Sequence, residues 1–151
     1  MIDKEFKKRL KQHLKESVIQ KIKTSEDAMD SAQQAANTET RSTAGDKYDT
    51  SRAMMHLEKD KMAEQLAKSV QQLRVMEALK EEDTLHIQPG NLVVTPNGTY
   101  YLSISIGQVK FEDEVIFAIS AQSPIGKLLV GKAKNEDVLF NGRKIMIKNV
   151  L

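Results

Sequence analysis

The chain has 151 residues, 23 of them basic and 21 acidic, and its net charge of +2 excludes bulk attraction to nucleic acid or an anionic membrane as its organising feature. It contains no cysteine, which rules out disulfides and every cysteine-based zinc site. No window has the length of a membrane span, and the start, Met-Ile-Asp-Lys-Glu-Phe, lacks an apolar leader core; a cytoplasmic protein without a membrane partner is expected.

Residues 3–36 carry neither Gly nor Pro, and Phe6, Leu10, Leu14, Val18 and Ile22, then Met29, Ala32 and Ala36, recur at helical spacing. This predicts one long helix. Steps of four overshoot a full turn by about 40°, so Phe6 and Ile22 face different ways. The base of the helix is therefore expected to pack on the C-terminal half, not on a second helix. Lys4, Lys8, Lys11 and Lys15 form a separate basic stripe, read either as a solvated face or as a contact for an acidic protein surface or RNA.

A second helix is expected from Asp46 or Thr50 to about Glu82, with Met62, Leu66, Ser69, Leu73 and Met76 on one arc, the spacing of a coiled-coil seam. A short polar turn between two long helices makes them antiparallel neighbours. The turn, residues 37–52, carries Gly45, Asp46 and Asp49 with Arg41, Lys47 and Arg52 close by. Two readings stand side by side. Asp46 or Asp49 caps the second helix by accepting hydrogen bonds from its first free N–H groups. Alternatively the two carboxylates offer oxygen ligands to Mg²⁺, a hard cation that takes one or two carboxylates and would need further ligands from a partner.

From about Leu85 the pattern turns to β-branched runs and turn pairs. Strands are expected at 91–95 and 99–106 about the turn Pro96-Asn97-Gly98, then a polar loop at 108–114 and a strand at 115–120. Pro124, with Ser123 as cap, begins a short helix to about Val130. Residues 138–140 and 144–150 pair across Asn141-Gly142. The expectation is an α+β chain: an antiparallel helical hairpin over residues 1–84, then a small antiparallel sheet domain with one short helix over 85–151. Gly126 to Ala133 falls short of a phosphate-binding loop, because Ala133 lacks the hydroxyl that would hold Mg²⁺. His13, His56 and His86 have no metal-ligand spacing, and no nucleophile stands beside a base.

Ile119-Ser-Ala-Gln-Ser-Pro-Ile-Gly-Lys-Leu-Leu-Val-Gly-Lys132, followed by Glu136-Asp137-Val138, resembles the Ser-Pro, Ala-Leu-Ile-Gly-Lys and Gly-Asp-x-Val run of the Gre-type transcript cleavage factors of bacterial RNA polymerase. That run lies in the family's FKBP-like C-terminal domain. Ala44-Gly45-Asp46-x-x-Asp49 resembles the family's Gly-Asp-x-x-Glu, and the order of hairpin then β-rich domain agrees over almost the whole chain. The resemblance implies an accessory factor, not itself an enzyme. Its hairpin would enter the polymerase secondary channel, where Asp46 would hold a second Mg²⁺ and Asp49 would assist the metal or its water, so that the polymerase cuts backtracked RNA. Arg41, Lys47 and Arg52 would meet RNA or polymerase near the nascent 3′ end, and Ser123, Pro124 and Ile125 would dock at the channel entrance.

The chain departs from the family pattern at Asp49, where Glu is general, and at Thr50-Ser51-Arg52-Ala53, which replaces Asn-Ala-Glu-Tyr. Leu57 stands where the family carries a basic residue. A channel regulator or inhibitor without cleavage activity is the first alternative. An FKBP-like prolyl isomerase or chaperone, drawing on Tyr100, Tyr101, Phe111, Phe117 and Phe140, is another, and a plain coiled-coil adaptor a third.

Overall fold

The structure, a computed structural model, describes residues 1–39 and 45–151, with side chains for 1–38 and 50–151. The architecture is α+β: two long helices, α1 (Lys4–Glu39) and α2 (Gly45–Ala78), precede seven strands and one short helix. Its contacts form two compact units, one of Leu14–Arg74 and one that joins Met1–His13 to Val75–Leu151. The change of element type near residue 84 and the division into compact units thus fall at different places, because the first turns of α1 and the end of α2 belong with the sheet.

In the helical unit α1 turns Val18, Ile22, Ser25, Met29, Ala32 and Ala36 inward, and from Ile22 onward their 3-4 alternation is that of a coiled-coil seam. From α2 come Met55, Met62, Leu66, Ser69 and Leu73, partly or fully buried. Between Met55 and Met62 the seam has a polar step, where Lys59 Nζ donates to Gln33 Oε1 at 2.9 Å. That bond pairs the later part of α1 with the earlier part of α2, as an antiparallel hairpin requires. The second helix ends at Ala78, short of the expected Glu82.

In the sheet unit a five-stranded sheet has the order β3-β4-β2-β1-β7, from β1 (Leu92–Thr95), β2 (Gly98–Leu102), β3 (Gly107–Phe111), β4 (Glu114–Ile119) and β7 (Asn149–Val150). A separate hairpin joins β5 (Asp137–Phe140) and β6 (Arg143–Met146), and α3 spans Pro124–Leu129. Three expectations need correction. The segment expected as a polar loop at 108–114 contains strand β3, antiparallel to β4 with Phe111 opposite Glu114. The sheet is not wholly antiparallel, since β2 and β4 run parallel with Tyr100 opposite Phe117. The last segment is not one strand, because after Met146 the chain leaves β5 and Asn149–Val150 pairs with β1 instead.

Pleating divides the sheet into two faces. Val93, Tyr100, Leu102, Ile119 and Val150 share one face and pack with Ile87, Ile125, Leu129, Val138, Ile145 and Ile147 beneath α3 and the small hairpin. The other face carries Leu92, Thr99, Tyr101, Ile116, Ala118, Val109 and Phe111. The base of α1 covers this second face: Phe6 and Phe111 have ring centroids 5.5 Å apart, and His13 stacks on Phe111 at 4.8 Å. Burial pushes the Tyr101 hydroxyl well above its ordinary value, with the Glu81 charge adding to it. The sequence expectation that Phe6 serves the C-terminal half is thereby met.

The β3–β4 turn explains why β3 was hidden. A two-residue hairpin of type I′ needs positive φ at both central residues, for which Asn-Gly is the usual solution, as at Asn141-Gly142 (φ 50° and 76°). Glu112-Asp113 adopts it without glycine (φ 49° and 64°), a conformation that costs an ordinary residue roughly 1–2 kcal/mol. Arg9 in α1 grips the turn, with Nε and Nη2 donating to the two Glu112 carboxylate oxygens at 2.8 and 2.9 Å. The bidentate bond holds the Glu112 carboxyl below its ordinary value. A carboxyl with a depressed folded pKa stabilises the fold above its unfolded pKa, and that contribution disappears as pH falls through the folded pKa. Arg9→Ala is therefore expected to lower the urea midpoint modestly at pH 7, with the gap from the parent closing once the pH lies below the carboxylate range; paired urea titrations across acid pH check this.

Candidate functional site

The site expected from the sequence falls on residues that follow the end of α1 and open α2. Arg41 lies outside the described residues, as do the side chains of Asp46, Lys47 and Asp49. Positions 46 and 49 fall within the helical span of α2, three apart and next to its first residue, Gly45. Arg52, one turn further along, is exposed. Beyond it α2 presents Met54 and Leu57 outward, 65% and 71% exposed, at the i, i+3 spacing that places them on one face. Leu57 was noted in the sequence only as standing in place of a basic residue, and Met54 was not singled out; the register of the seam, with Met55 inside, shows that the two face away.

Mg²⁺ is tested here by donor chemistry. Two aspartate carboxylates are hard oxygen ligands and suit Mg²⁺, but they supply only part of its octahedron, so they fit the ion as a share of a site completed elsewhere. Among the described residues no group of three His, Cys, Asp or Glu side chains is placed to hold a metal ion.

The second expected site, Ser123-Pro124-Ile125, is well ordered by local chemistry. Ser123 is the N-cap of α3: its Oγ accepts from the Gly126 N–H at 3.1 Å and donates to the Ser120 carbonyl at 2.6 Å. Pro124 occupies the first helical position, where its missing N–H costs nothing, and is exposed. Ile125 is 8% exposed and belongs to the core beneath the sheet. Any surface contact through this turn therefore falls to Pro124, with Leu128 and Val130 on the outer side of α3, both partly exposed. Gly126 is required by space: a Cβ there would lie 2.2 Å from the Ser120 carbonyl oxygen. The Gly126 of the motif is thus a packing device that brings α3 against the segment that follows β4, while Lys127 is exposed.

The aromatic residues weighed for a proline-binding pocket are engaged in packing. Phe111 meets Phe6 and His13, Tyr100 meets Phe117 at 5.4 Å, and Phe140 packs on the core. Tyr101 is buried in the sheet.

Electrostatics concentrate at the base of α1. Lys4 Nζ bonds Asp83 Oδ2 at 2.6 Å, Lys8 bonds Glu5 at 3.0 Å, and Lys11 lies 3.3 Å from Glu81 while donating to the Leu79 carbonyl at 3.1 Å. Of the basic stripe read from the sequence, Lys4 and Lys11 thus tie residues 79–83 along the first turns of α1, and Lys8 pairs within α1. The Lys4 hydrogen bond holds the Asp83 carboxyl below its ordinary value.

Compared with family models, with curated proteins and with solved structures, the chain shows no match. Ser123→Ala is expected to cost about 1 kcal/mol, the usual value of a lost N-cap, whereas Gly126→Ala should disrupt the sheet unit far more. Thermal melts of both variants check the order, which would be reversed if the turn were held by its surface alone.

Proposed function

We propose that the chain is a Gre-like RNA polymerase secondary-channel factor that stimulates cleavage of backtracked RNA, the reaction being carried out by the polymerase. The reading is carried by one juxtaposition: a Gly-Asp-x-x-Asp sequence at the start of the second arm of an antiparallel helical hairpin, in a chain whose other part is a small α+β unit with the Ser-Pro-x-Gly-Lys turn. Within the helical unit each arm has roughly 40 Å of helical rise, a length that suits carrying two acids into a channel.

In this reading Asp46 provides a carboxylate to a Mg²⁺ shared with the polymerase, and Asp49, shorter by one methylene than a glutamate, assists the metal or its water. The metal, when bound, supplies electrostatic stabilisation of the attacking and leaving oxygens. Arg52, with Arg41 and Lys47, neutralises phosphates of the displaced RNA 3′ end. The sheet unit docks at the channel entrance through Pro124 and its neighbours on α3.

A second reading has a specific observation behind it. Asp49 with Thr50-Ser51-Arg52-Ala53, and the exposed Met54 and Leu57 beyond them, differ from a cleavage-competent tip and suit a factor that occupies the channel without stimulating cleavage. Stalled, backtracked elongation complexes supplied with Mg²⁺ separate the two. The leading reading expects short 3′ RNA fragments in the presence of the protein and a loss on the order of 100-fold with Asp46→Asn, the scale of removing one electrostatic group from a reacting centre. Binding to polymerase without fragments would select the non-cleaving regulator, and absence of both would exclude the channel altogether.

A further inference from the structure

The base of α1 contains one lysine whose situation the ion pairs there do not explain. Lys4, Lys8 and Lys11 each have a carboxylate within 4 Å, in Asp83, Glu5 and Glu81 respectively. Lys7 stands among them, and those three carboxylates are already taken. Its side chain is packed, with the residue only 4% exposed, while its neighbours Lys4 and Lys8 are open to solvent. Glu81 and Asp83 act on it only through longer-range attraction. Among the described residues four lysines thus face three carboxylates, and the odd one is the least hydrated.

Lys7 lines a pocket of about 240 Å³ whose other walls are Lys4, Glu5, Lys8, Glu81 and Asp83. A buried amine with no ion partner is costly to charge, and adjacent cations add to that cost. Burial accordingly pulls the Lys7 amine below its ordinary value, the charges of Lys4 and Lys11 acting the same way and Glu81 and Asp83 opposing them. An amine in this setting is a nucleophile, as lysines desolvated in pockets or set beside other cations generally are. The pocket rim offers the complementary feature: the exposed ammonium groups of Lys4 and Lys8 can hold the anionic end of a small donor while its carbonyl carbon meets Lys7.

We propose that Lys7 is a modification site that accepts acyl groups from small acyl phosphates in this pocket. The neutral amine's lone pair forms the N–C bond to the acyl carbon, and the C–O bond to phosphate breaks. Inorganic phosphate leaves with that electron pair. The proton lost from nitrogen passes to the Glu81 or Asp83 carboxylate and then to water. The product is an amide without charge, so three lysines are left facing three carboxylates. Acylation would thereby relieve the unpaired charge at the base of α1.

The test uses the full chain with acetyl phosphate at mildly alkaline pH, with acetylation of each lysine followed by peptide mass mapping at early times. Lys61 and Lys127, both exposed, serve as internal references. Lys7 is expected to acetylate several-fold faster than either, and the preference should vanish in strong urea. Native Lys7 acetylating no faster than the references, or a preference that persists in urea and so reflects local sequence alone, would overturn the proposal.

Discussion

The face of the sheet that carries Leu92, Tyr101, Ile116, Ala118 and Phe111 has no cover within the strands themselves, and the structure depends on how that face is closed. It is closed by the first turns of α1. Phe6 meets Phe111, Arg9 grips the strained Glu112 turn, and Lys4 and Lys11 tie down the segment that leaves α2. The apolar contact supplies most of the stabilisation, since burying a side chain the size of Phe6 contributes roughly 1.5–3 kcal/mol. The exposed ion pairs each contribute little and act mainly by fixing register. One uninterrupted helix therefore contributes Phe6 and Leu10 to the sheet unit and Val18 onward to the helical unit.

The helical unit is held by a thinner seam. Ser25, Ala32, Ala36 and Ser69 are small or polar, and between Met55 and Met62 the helices are joined by the exposed Gln33–Lys59 bond with no buried apolar pair. Polar groups at seam positions reduce stability but select one register and orientation. For a hairpin whose proposed use depends on which residues stand at its turn, a fixed register matters more than maximal stability. A one-step slip would change which positions lie at the end of the arms.

Much of this architecture was legible in the sequence for identifiable reasons. Long stretches without Gly or Pro and with helical periodicity specify α1 and α2, and the drift of Phe6 away from Ile22 announced that α1 serves two partners. Asn141-Gly142 and Ser123-Pro124 are turn and cap signals with a local mechanism, and both held. Strand β3 was read as a polar loop because its turn uses Glu-Asp at positive φ in place of an Asn-Gly signal; the alternation of Gln108 and Lys110 with Val109 and Phe111 was present, but short and without a recognisable turn beside it. The parallel pairing of β2 with β4 is a tertiary choice that no local signal encodes. Within the candidate sites, Ile125 could not be separated from Pro124 by sequence, because only the packing of α3 on the sheet shows that one is core and the other surface. The special position of Lys7 was invisible for a similar reason. It stood outside the basic stripe of Lys4, Lys8, Lys11 and Lys15, and only the path of residues 79–83 shows which members of that stripe are paired.

The proposed role rests on the helical hairpin reaching the catalytic centre of a polymerase, and the chain's lack of cysteine makes that directly measurable. Arg52→Cys introduces a single thiol near the start of α2 that can be labelled with a short photo-crosslinker and presented to backtracked elongation complexes. The account predicts crosslinks to the extruded 3′ segment of the RNA or to polymerase residues lining the secondary channel. A labelled protein that crosslinks to neither at saturating concentration would contradict it.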